Sequence, residues 1–134
     1  MSAKSLHAYL AFDGKCAEAF GFYAECLGAE LEEMHRYTGS PMEKEMPPDW
    51  GDKVMHASLS WNGFRLMGSD GPAPGGYSGI SLCVNLDDVT QAEKVFAALA
   101  KGGTIMQPIA ETFWAKRFGM LKDRFGVSWM VNCE

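Results

Sequence analysis

Helical and strand-like patterns of apolar residues follow one another along the chain in an order that occurs twice. Apolar positions recur at helical spacing from Cys16 to Leu27 and again from Val89 to Leu99. Strand-like stretches flank both helices, and Asn62-Gly63 between two apolar runs predicts a two-residue hairpin turn of type I′. Each half of the chain is therefore predicted to contain a strand, a helix and about three further strands.

The boundaries of these elements are predicted from local signals. Asp13 is a candidate cap for the first helix, Gly28 is expected in the left-handed conformation at its end, and Asp88 with Gln91 resembles a capping box for the second helix. Strands are predicted over residues 6–12, 29–37, 54–61, 64–68, 79–86, 104–107, 112–121 and 127–133. Residues 39–53 and 70–76 are predicted to be loops.

The two halves also match in sequence. Ala17-Glu18 corresponds to Ala92-Glu93, and Leu27-Gly28 corresponds to Gly102-Gly103. The prediction is a single α+β domain over residues 1–134, with a first βαβββ module over 1–70 and a second over 77–134. Two such modules are expected to form one curved mixed sheet with the helices packed outside. The concave face of that sheet would be a cup for a small molecule.

Composition and charge narrow the class of protein. Of the 134 residues, 47% are hydrophobic and 22% charged, which is ordinary for a globular chain with a real core. A net charge of −5, with nothing resembling a basic patch, disfavours binding to nucleic acid or to an anionic membrane. The sequence has neither a 20-residue apolar run nor a secretory leader before its first strand, so a cytoplasmic location is expected.

The cysteines give little sign of redox or zinc chemistry. Cys16, Cys26, Cys83 and Cys133 form no C-x-x-C pair, and each lies beside apolar residues. Buried thiols in a reducing compartment are therefore the favoured interpretation, with reactive or disulfide-bonded cysteines as the alternative.

Several segments of the chain carry a resemblance to a known family. They are residues 9–12 with 16–19 and 22–23, 27–30, 55–57, 66–70, 111–115 and 123–130. With the repeated βαβββ plan, the whole chain resembles the vicinal oxygen chelate superfamily, which includes glyoxalase I, extradiol dioxygenases, fosfomycin-resistance enzymes and bleomycin-binding proteins. The closer resemblance is to its PhnB-like branch, often named 3-demethylubiquinone-9 3-methyltransferase. The sequence has no glycine-rich G-x-G-x-x-G entry to a helix of the kind that would hold S-adenosylmethionine.

The resemblance also implies where a metal would be held and how the chain would assemble. Members similar to glyoxalase I hold one divalent metal with four ligands, and those positions fall here on His7, Met67, Gly79 and Met130. Of these only His7 suits such a metal, so no cofactor is predicted. The alternative is a divalent metal bound weakly by His7 and His56. His56 is not one of the four ligand positions and lies on the predicted third strand. Many superfamily members build sites between two chains, which implies a homodimer.

The alternation of side chains along the predicted strands indicates which residues line the wall of the cup. The two-residue turn places Ser58 opposite Met67 and His56 opposite Ser69, so these four side chains are expected on one face. His7 and His56 are the candidate catalytic residues, because an imidazole can act as a general base near neutral pH. The candidate substrate-binding residues are Tyr9, Ser58, Met67, Ser69, Ser81, Trp114 and Met130, and Gly79 lies on the same wall.

Four further residues have side chains that could contribute to the site or to the core. Cys83 is expected on the same face as Ser81, although a buried structural role is favoured. Glu111 and Asp70 could each act as an acid or a base, but no spacing ties one to the other. Solvated carboxylates are therefore favoured, with a turn-stabilising role as a further alternative for Asp70. Trp129 should point toward the helices and belong to the core.

Three functions are compatible with this pattern. The first is binding of a small, partly apolar or aromatic molecule in the cup without a catalytic metal. The alternative is a metal-dependent or histidine-assisted lyase, isomerase or dioxygenase of the glyoxalase type. The third is a regulatory or interaction protein that keeps only the fold.

Overall fold

The computed structural model describes residues 5–71 and 76–134 and divides the chain into two compact units, Met1–Gly75 and Gly76–Glu134. The elements of the first unit are β1 (Ala8–Phe12), α1 (Cys16–Leu27), β2 (Glu30–Arg36), a short 3₁₀ turn (Glu43–Glu45), β3 (Val54–Trp61) and β4 (Phe64–Asp70). They form a four-stranded sheet in the order β1-β4-β3-β2, in which β1 is parallel to β4 and the other pairs are antiparallel.

The second unit has the same topology. Its elements are β5 (Leu82–Leu86), α2 (Val89–Ala100), β6 (Thr104–Ala110), β7 (Arg117–Lys122) and β8 (Ser128–Cys133). The strand order is β5-β8-β7-β6, again with one parallel pair, β5 with β8. The predicted α+β class with two βαβββ modules is therefore confirmed.

The most local of the sequence signals are also confirmed. Asn62 and Gly63 have φ angles of 54° and 86°, as a type I′ turn requires, and Trp61 pairs with Phe64 across it. Gly28 ends α1 in the left-handed region, with φ 68° and ψ 33°. Asp88 caps α2, since its side chain accepts a hydrogen bond from the Gln91 backbone N–H at 2.9 Å.

The predicted cap of α1 is wrong. Asp13 is exposed, and the residue before the helix is Lys15, whose side chain makes no capping bond. The first N–H of the helix, that of Cys16, instead donates to Oδ1 of Asp70 at the end of β4. Asp70 is 1% exposed, so the expectation of a solvated carboxylate is also wrong.

Two strands begin at least three residues later than predicted. β5 begins at Leu82, so Gly79 and Ser81 precede the strand and the alternation that placed them on the wall does not apply. Gly79 has a φ of 75°, which an extended strand does not allow. Likewise, β7 begins at Arg117, and residues 112–116 form a turn rather than a strand.

Each helix packs on one face of its own sheet. In the first unit Phe20 and Tyr23 of α1 are fully buried together with Leu59 of β3. Gly68 of β4 allows this close approach, because a Cβ there would lie 2.8 Å from the Phe20 ring. The alternate residues of each strand point to the other face of this sheet, which α1 does not cover.

The core of the second unit contains a buried polar element. Phe96 and Leu99 of α2 pack against this sheet, and Trp129 of β8 is 3% exposed, as predicted for a core residue. The Trp129 indole N–H donates to Oδ2 of Asp123 at 2.9 Å. Oδ1 of Asp123 accepts the backbone N–H groups of Phe125 and Val127, so this buried carboxylate holds the turn between β7 and β8.

The cysteines only partly follow the expectation of burial. Cys16 and Cys133 are buried free thiols, but Cys83 is exposed. The expectation that Cys83 is buried is therefore wrong, because its side chain lies on the sheet face that α2 does not cover. Over residues 5–71 and 76–134, no helix is long and apolar enough to cross a membrane.

Candidate functional site

The face of the first sheet that α1 does not cover carries most of the predicted residues of this unit. Ala57, Leu59 and Leu66 are buried on the helix side, so the alternate positions point to the other side. Ser58 pairs with Met67, as predicted from the hairpin, and Met67 pairs in turn with Tyr9 of β1. These three residues thus form one row across three adjacent strands.

His56 lies between two polar partners on this face. Its Nδ1 is 3.4 Å from the hydroxyl of Tyr9, and its Nε2 is 3.4 Å from Oε2 of Glu33. A carboxylate only accepts hydrogen bonds, so a proton on Nε2 suits the contact with Glu33. In the neutral tautomer that carries this proton, Nδ1 accepts from the Tyr9 hydroxyl. The three groups thus lie in a chain from Tyr9 through His56 to Glu33.

Access to solvent differs along this chain. Tyr9 is 51% exposed, whereas the His56 side chain is 30% exposed. The Glu33 side chain is 52% exposed, and the neighbouring Ser58 is 2% exposed. Solvent therefore reaches the chain at both Tyr9 and Glu33, and His56 between them is less accessible.

His7, the other predicted catalytic residue, lies just before β1. Its Nε2 is 2.7 Å from the hydroxyl of Ser5. Within the described part of the chain, the side-chain partners of His56 are Tyr9 and Glu33, and His35 stacks on its ring with a centroid distance of 6.4 Å. The structure thus gives His7 and His56 separate sets of partners.

Glu33 and His35 are functional candidates that the sequence did not single out. Both lie on β2, where Glu33 pairs with Ser58 and His35 pairs with His56. Their alternation with apolar Met34 was a usable signal for a shared face. The register of β2 against β3, however, depends on a long connection and two irregularities, which the sequence did not reveal.

The residues at the family's metal-ligand positions do not fit a hard divalent cation. Met67 and Met130 would offer thioether sulfur, and Gly79 has no side chain. Over residues 5–71 and 76–134, no group of three or more His, Cys, Asp or Glu side chains is arranged to hold a metal ion. The donor set at these four positions is thus the imidazole of His7 without a carboxylate partner.

The remaining predicted residues belong to the second unit. Met130 of β8 pairs with Cys83 and with Met120, on the face opposite the buried Trp129. Ser81 is exposed ahead of β5. Desolvation raises the pKa of the Cys83 thiol above its ordinary value, so this cysteine is a poor nucleophile despite its exposure.

A concavity in this unit surrounds Trp114. It is an open pocket of about 310 Å³, lined by Glu111, Thr112, Phe113, Trp114, Ala115, Lys116 and Glu134. Trp114 packs edge-to-face with Phe113 and with Phe118, at centroid distances of 4.9 and 5.3 Å. About half of the Trp114 side chain stays exposed, so an aromatic surface is available to a ligand.

A tight turn holds the pocket wall in place. The Thr112 backbone N–H donates to the Ala115 carbonyl at 3.0 Å, and the Ala115 N–H donates back to Oγ1 of Thr112 at 3.1 Å. Ala115 itself is buried. The two aromatic residues between them, Phe113 and Trp114, are therefore presented outward from a closed turn. Glu111 is exposed at the edge of the pocket, as expected for a solvated carboxylate.

The repeated βαβββ topology, with one helix on a four-stranded sheet in each unit, defines an α+β protein built from two like modules. The family model for 3-demethylubiquinone-9 3-methyltransferase matches residues 4–132, and the chain belongs to this family. It is similar to the protein YjdN of Escherichia coli, with 34% identity over 95% of this chain and 93% of the relative.

Two solved structures show the same relationship. Protein PA1353 from Pseudomonas aeruginosa is 47% identical, with a TM-score of 0.89 over 98% of both chains. A putative 3-demethylubiquinone-9 3-methyltransferase from Bacillus cereus, described as a PhnB protein, is 29% identical, with a TM-score of 0.82 over 98% of this chain and all of the other. The predicted membership of the PhnB-like branch is therefore confirmed.

Similarity to the wider superfamily is a similarity of fold and not of sequence. The fosfomycin resistance protein FosX from Listeria monocytogenes is 10% identical, with a TM-score of 0.69 over 99% of this chain and 94% of the other. This likeness confirms the vicinal oxygen chelate fold and carries no residue of that protein's site to this chain.

Proposed function

We propose that this protein binds a small, partly apolar or aromatic molecule without the help of a catalytic metal, and that the pocket at Trp114 is the binding site. The observation that carries the proposal is the half-exposed Trp114 ring, in edge-to-face contact with Phe113 and Phe118 beside a pocket of about 310 Å³. This volume lies at the lower end of the range of about 300–1,000 Å³ for ligand pockets.

The charged groups at the rim support a ligand with a polar end. Lys116 offers an ammonium, and Glu111 and Glu134 offer carboxylates, all around the same aromatic wall. A planar ring stacked on Trp114 would thus find both hydrogen-bond donors and acceptors at its edge. Four of the seven lining residues are polar, so the pocket offers hydrogen bonding at its rim as well as stacking on its aromatic residues.

The binding site can be tested with simple aromatic probes. Indole, benzoate and benzylamine present a neutral, an anionic and a cationic ring, and each is titrated into ¹⁵N-labelled protein while NMR shifts are followed. We expect at least one probe to shift the signals of residues 111–116, including the Trp114 indole N–H. Trp114→Ala should weaken that binding by about 10-fold or more, since ring stacking is then lost.

A matched variant separates stacking from a general effect of losing a tryptophan. Trp61 lies at the end of β3 beside the hairpin turn, in the other unit. Trp61→Ala should leave probe affinity within about 2-fold of the parent, as expected for a residue outside the site. If no probe shifts residues 111–116 at millimolar concentration, or if the two variants bind alike, the pocket is not the binding site.

The absence of a catalytic metal is supported by donor chemistry. Thioethers at positions 67 and 130 and a glycine at 79 are unsuited to the divalent ions that the family's enzymes use. Metal content of chelator-free protein, measured by inductively coupled plasma mass spectrometry, tests this part directly. We expect far less than one ion per chain after incubation with Ni, Zn, Mn or Fe(II). One ion per chain that disappears in a His7→Ala/His56→Ala variant would overturn it.

We further propose that the protein is a cytoplasmic homodimer. The family resemblance supports the assembly, as do large apolar side chains at the surface: Phe64 is 70% exposed, and Ile80 is 71% exposed. Analytical ultracentrifugation is expected to give twice the mass of one chain, and a monomer at micromolar concentration would contradict it.

A further inference from the structure

We propose that Tyr9 is a nucleophile toward small electrophilic carbonyl compounds, activated by His56 and Glu33 behind it. This inference concerns the first unit, and its tests are independent of those for the pocket at Trp114. A catalytic role for His56 is already predicted from the sequence. The present proposal names the reacting atom, which is the Tyr9 hydroxyl oxygen, and a positioning residue, which is Glu33.

The three side chains follow the order of an activated nucleophile, a base and an orienting group, at distances longer than the usual reach of about 2.6–3.2 Å. A hydroxyl is activated when a base lies within hydrogen-bond reach and a third group orients that base. Here Nδ1 of His56 lies 3.4 Å from the Tyr9 hydroxyl, and Glu33 engages Nε2 on the far side of the ring at 3.4 Å. Catalytic hydrogen bonds are often long without substrate and shorten in the complex.

The sheet fixes these residues from three different strands. Tyr9 lies on β1, His56 on β3 and Glu33 on β2, and the register of each strand is set by its backbone ladder. His35, which pairs with His56 from the neighbouring strand, stacks on the His56 ring with ring planes 19° apart, which restricts the orientation of the imidazole. The arrangement therefore comes from the rigid part of the unit rather than from a loop.

The proposed step balances without a metal, an oxidant or a cofactor. The oxygen of Tyr9 attacks the carbonyl carbon of an activated acyl compound while its proton passes to Nδ1 of His56. Glu33 stabilises the imidazolium that forms. The bond to the leaving group then breaks, the leaving group keeps the electron pair, and it takes the proton back from His56. The product is an ester on Tyr9.

N-Acetylimidazole is a suitable probe, because it is a small activated acyl compound that acetylates tyrosine hydroxyls. The full-length protein is treated for a series of times, and acetylation at each tyrosine is measured by peptide mass spectrometry. Tyr37 is an internal control, because its buried side chain donates its hydroxyl proton to the Asp70 backbone oxygen. We expect Tyr9 to react fastest of the tyrosines.

Three variants test whether His56 and Glu33 cause that reactivity. His56→Gln should slow acetylation of Tyr9 by about 10-fold or more, as expected for loss of a general base. Glu33→Gln should slow it by about 3-fold or more, because the imidazole is then no longer held in the required tautomer. Glu32→Gln, on the same strand but facing Arg65 at 3.6 Å, should leave the rate unchanged.

A second measurement does not depend on any variant folding well. Long-range ¹H–¹⁵N NMR of the unmodified protein reports which His56 nitrogen carries the proton, and the proposal requires it on Nε2. A proton on Nδ1, or a Tyr9 acetylation rate that is equal in the parent and in a folded His56→Gln or Glu33→Gln variant, would overturn the proposal. Loss of probe binding at Trp114 would leave it untouched.

Discussion

Asp70 accepts a hydrogen bond from the backbone N–H of Cys16, with 2.9 Å between Oδ1 and the nitrogen, although 54 positions separate the two residues in the chain. The other carboxylate oxygen accepts the N–H of Val54 at 2.9 Å. The hydroxyl of Tyr37 donates to the Asp70 backbone carbonyl at 2.7 Å. A single buried residue thus joins the end of β4 to the start of α1 and the start of β3.

Replacing this carboxylate should destabilise the protein strongly. Asp70→Asn puts an amide NH₂ group where one oxygen accepted a backbone N–H, so a buried donor loses its partner. We expect the free energy of unfolding, measured by urea denaturation, to fall by about 2–4 kcal/mol. Asp13→Asn, at the exposed position before α1, is the control and should change stability by less than about 0.5 kcal/mol. Equal effects at the two positions would refute this role of Asp70.

The cap of α1 shows what a local sequence pattern leaves out. Asp13 stands where a capping residue is expected, and the same logic is correct for Asp88 at the start of α2. At α1 the acceptor comes instead from a residue that only the folded sheet brings close. Helix spans, the hairpin turn and the order of elements depend on neighbours in sequence, and these were predicted well.

Stability should also decline in alkaline solution because of Cys16. Burial, and secondarily the charge of Asp70, raise the pKa of the Cys16 thiol from its ordinary 9.0 to about 12. The unfolded chain therefore loses this proton at a lower pH than the folded chain does. Stability from Cys16 is complete below pH 9 and is lost as the pH rises toward about 12.

Cys16→Ala tests this linkage. Burial also raises the pKa of Tyr37, and this too makes the free energy of unfolding fall as the pH rises. The contribution of Cys16 is therefore the difference between the pH curves of the parent and the variant. Urea denaturation at a series of pH values above 9 should show a shallower decline for the variant. Parallel pH curves for the two proteins would mean that the thiol of Cys16 is not linked to folding.

The close approach of α1 to its sheet should make Gly68 intolerant of a side chain. A Cβ at this position would lie 2.8 Å from the Phe20 ring and 2.9 Å from the Leu10 carbonyl oxygen, and the second of these atoms belongs to the backbone. Gly68→Ala is expected to lower the free energy of unfolding by about 1–3 kcal/mol.

A glycine in open space provides the matched control. Gly21 lies within α1, and an added Cβ would meet nothing within 4 Å. Gly21→Ala should therefore raise the free energy of unfolding by about 0.5–1 kcal/mol through helix propensity. If both glycines respond in the same direction by urea denaturation, packing against Phe20 does not explain Gly68.

The candidate sites were predictable to different degrees for a physical reason. The hairpin at Asn62-Gly63 has two loop residues, so it fixed the pairing of Ser58 with Met67 from sequence alone. The register of β2 follows a connection of more than a dozen residues and has shifts near Leu31 and His35, so Glu33 beside His56 was not predictable. Trp114 was assigned to a strand, whereas it lies in a turn closed by Thr112.

That turn gives a last prediction, on the link between rigidity and ligand affinity. Thr112→Val keeps the shape of the side chain but removes the oxygen that accepts the Ala115 N–H at 3.1 Å. Phe113 and Trp114 would then be held less firmly, and binding would include the cost of ordering them. We expect affinity for an aromatic probe that binds the pocket to fall by about 3- to 10-fold, while the free energy of unfolding changes by about 1 kcal/mol or less.

The exposed Thr90 of α2 offers a matched control at a distance from the pocket. Thr90→Val should leave probe affinity unchanged in the same NMR titration. Nuclear Overhauser contacts between the rings of Trp114 and Phe118 should weaken in Thr112→Val and persist in Thr90→Val, because only the first change opens the turn. Unchanged ring contacts together with reduced affinity would mean that the Thr112 hydroxyl contacts the ligand itself, and that the turn is not what orders Trp114.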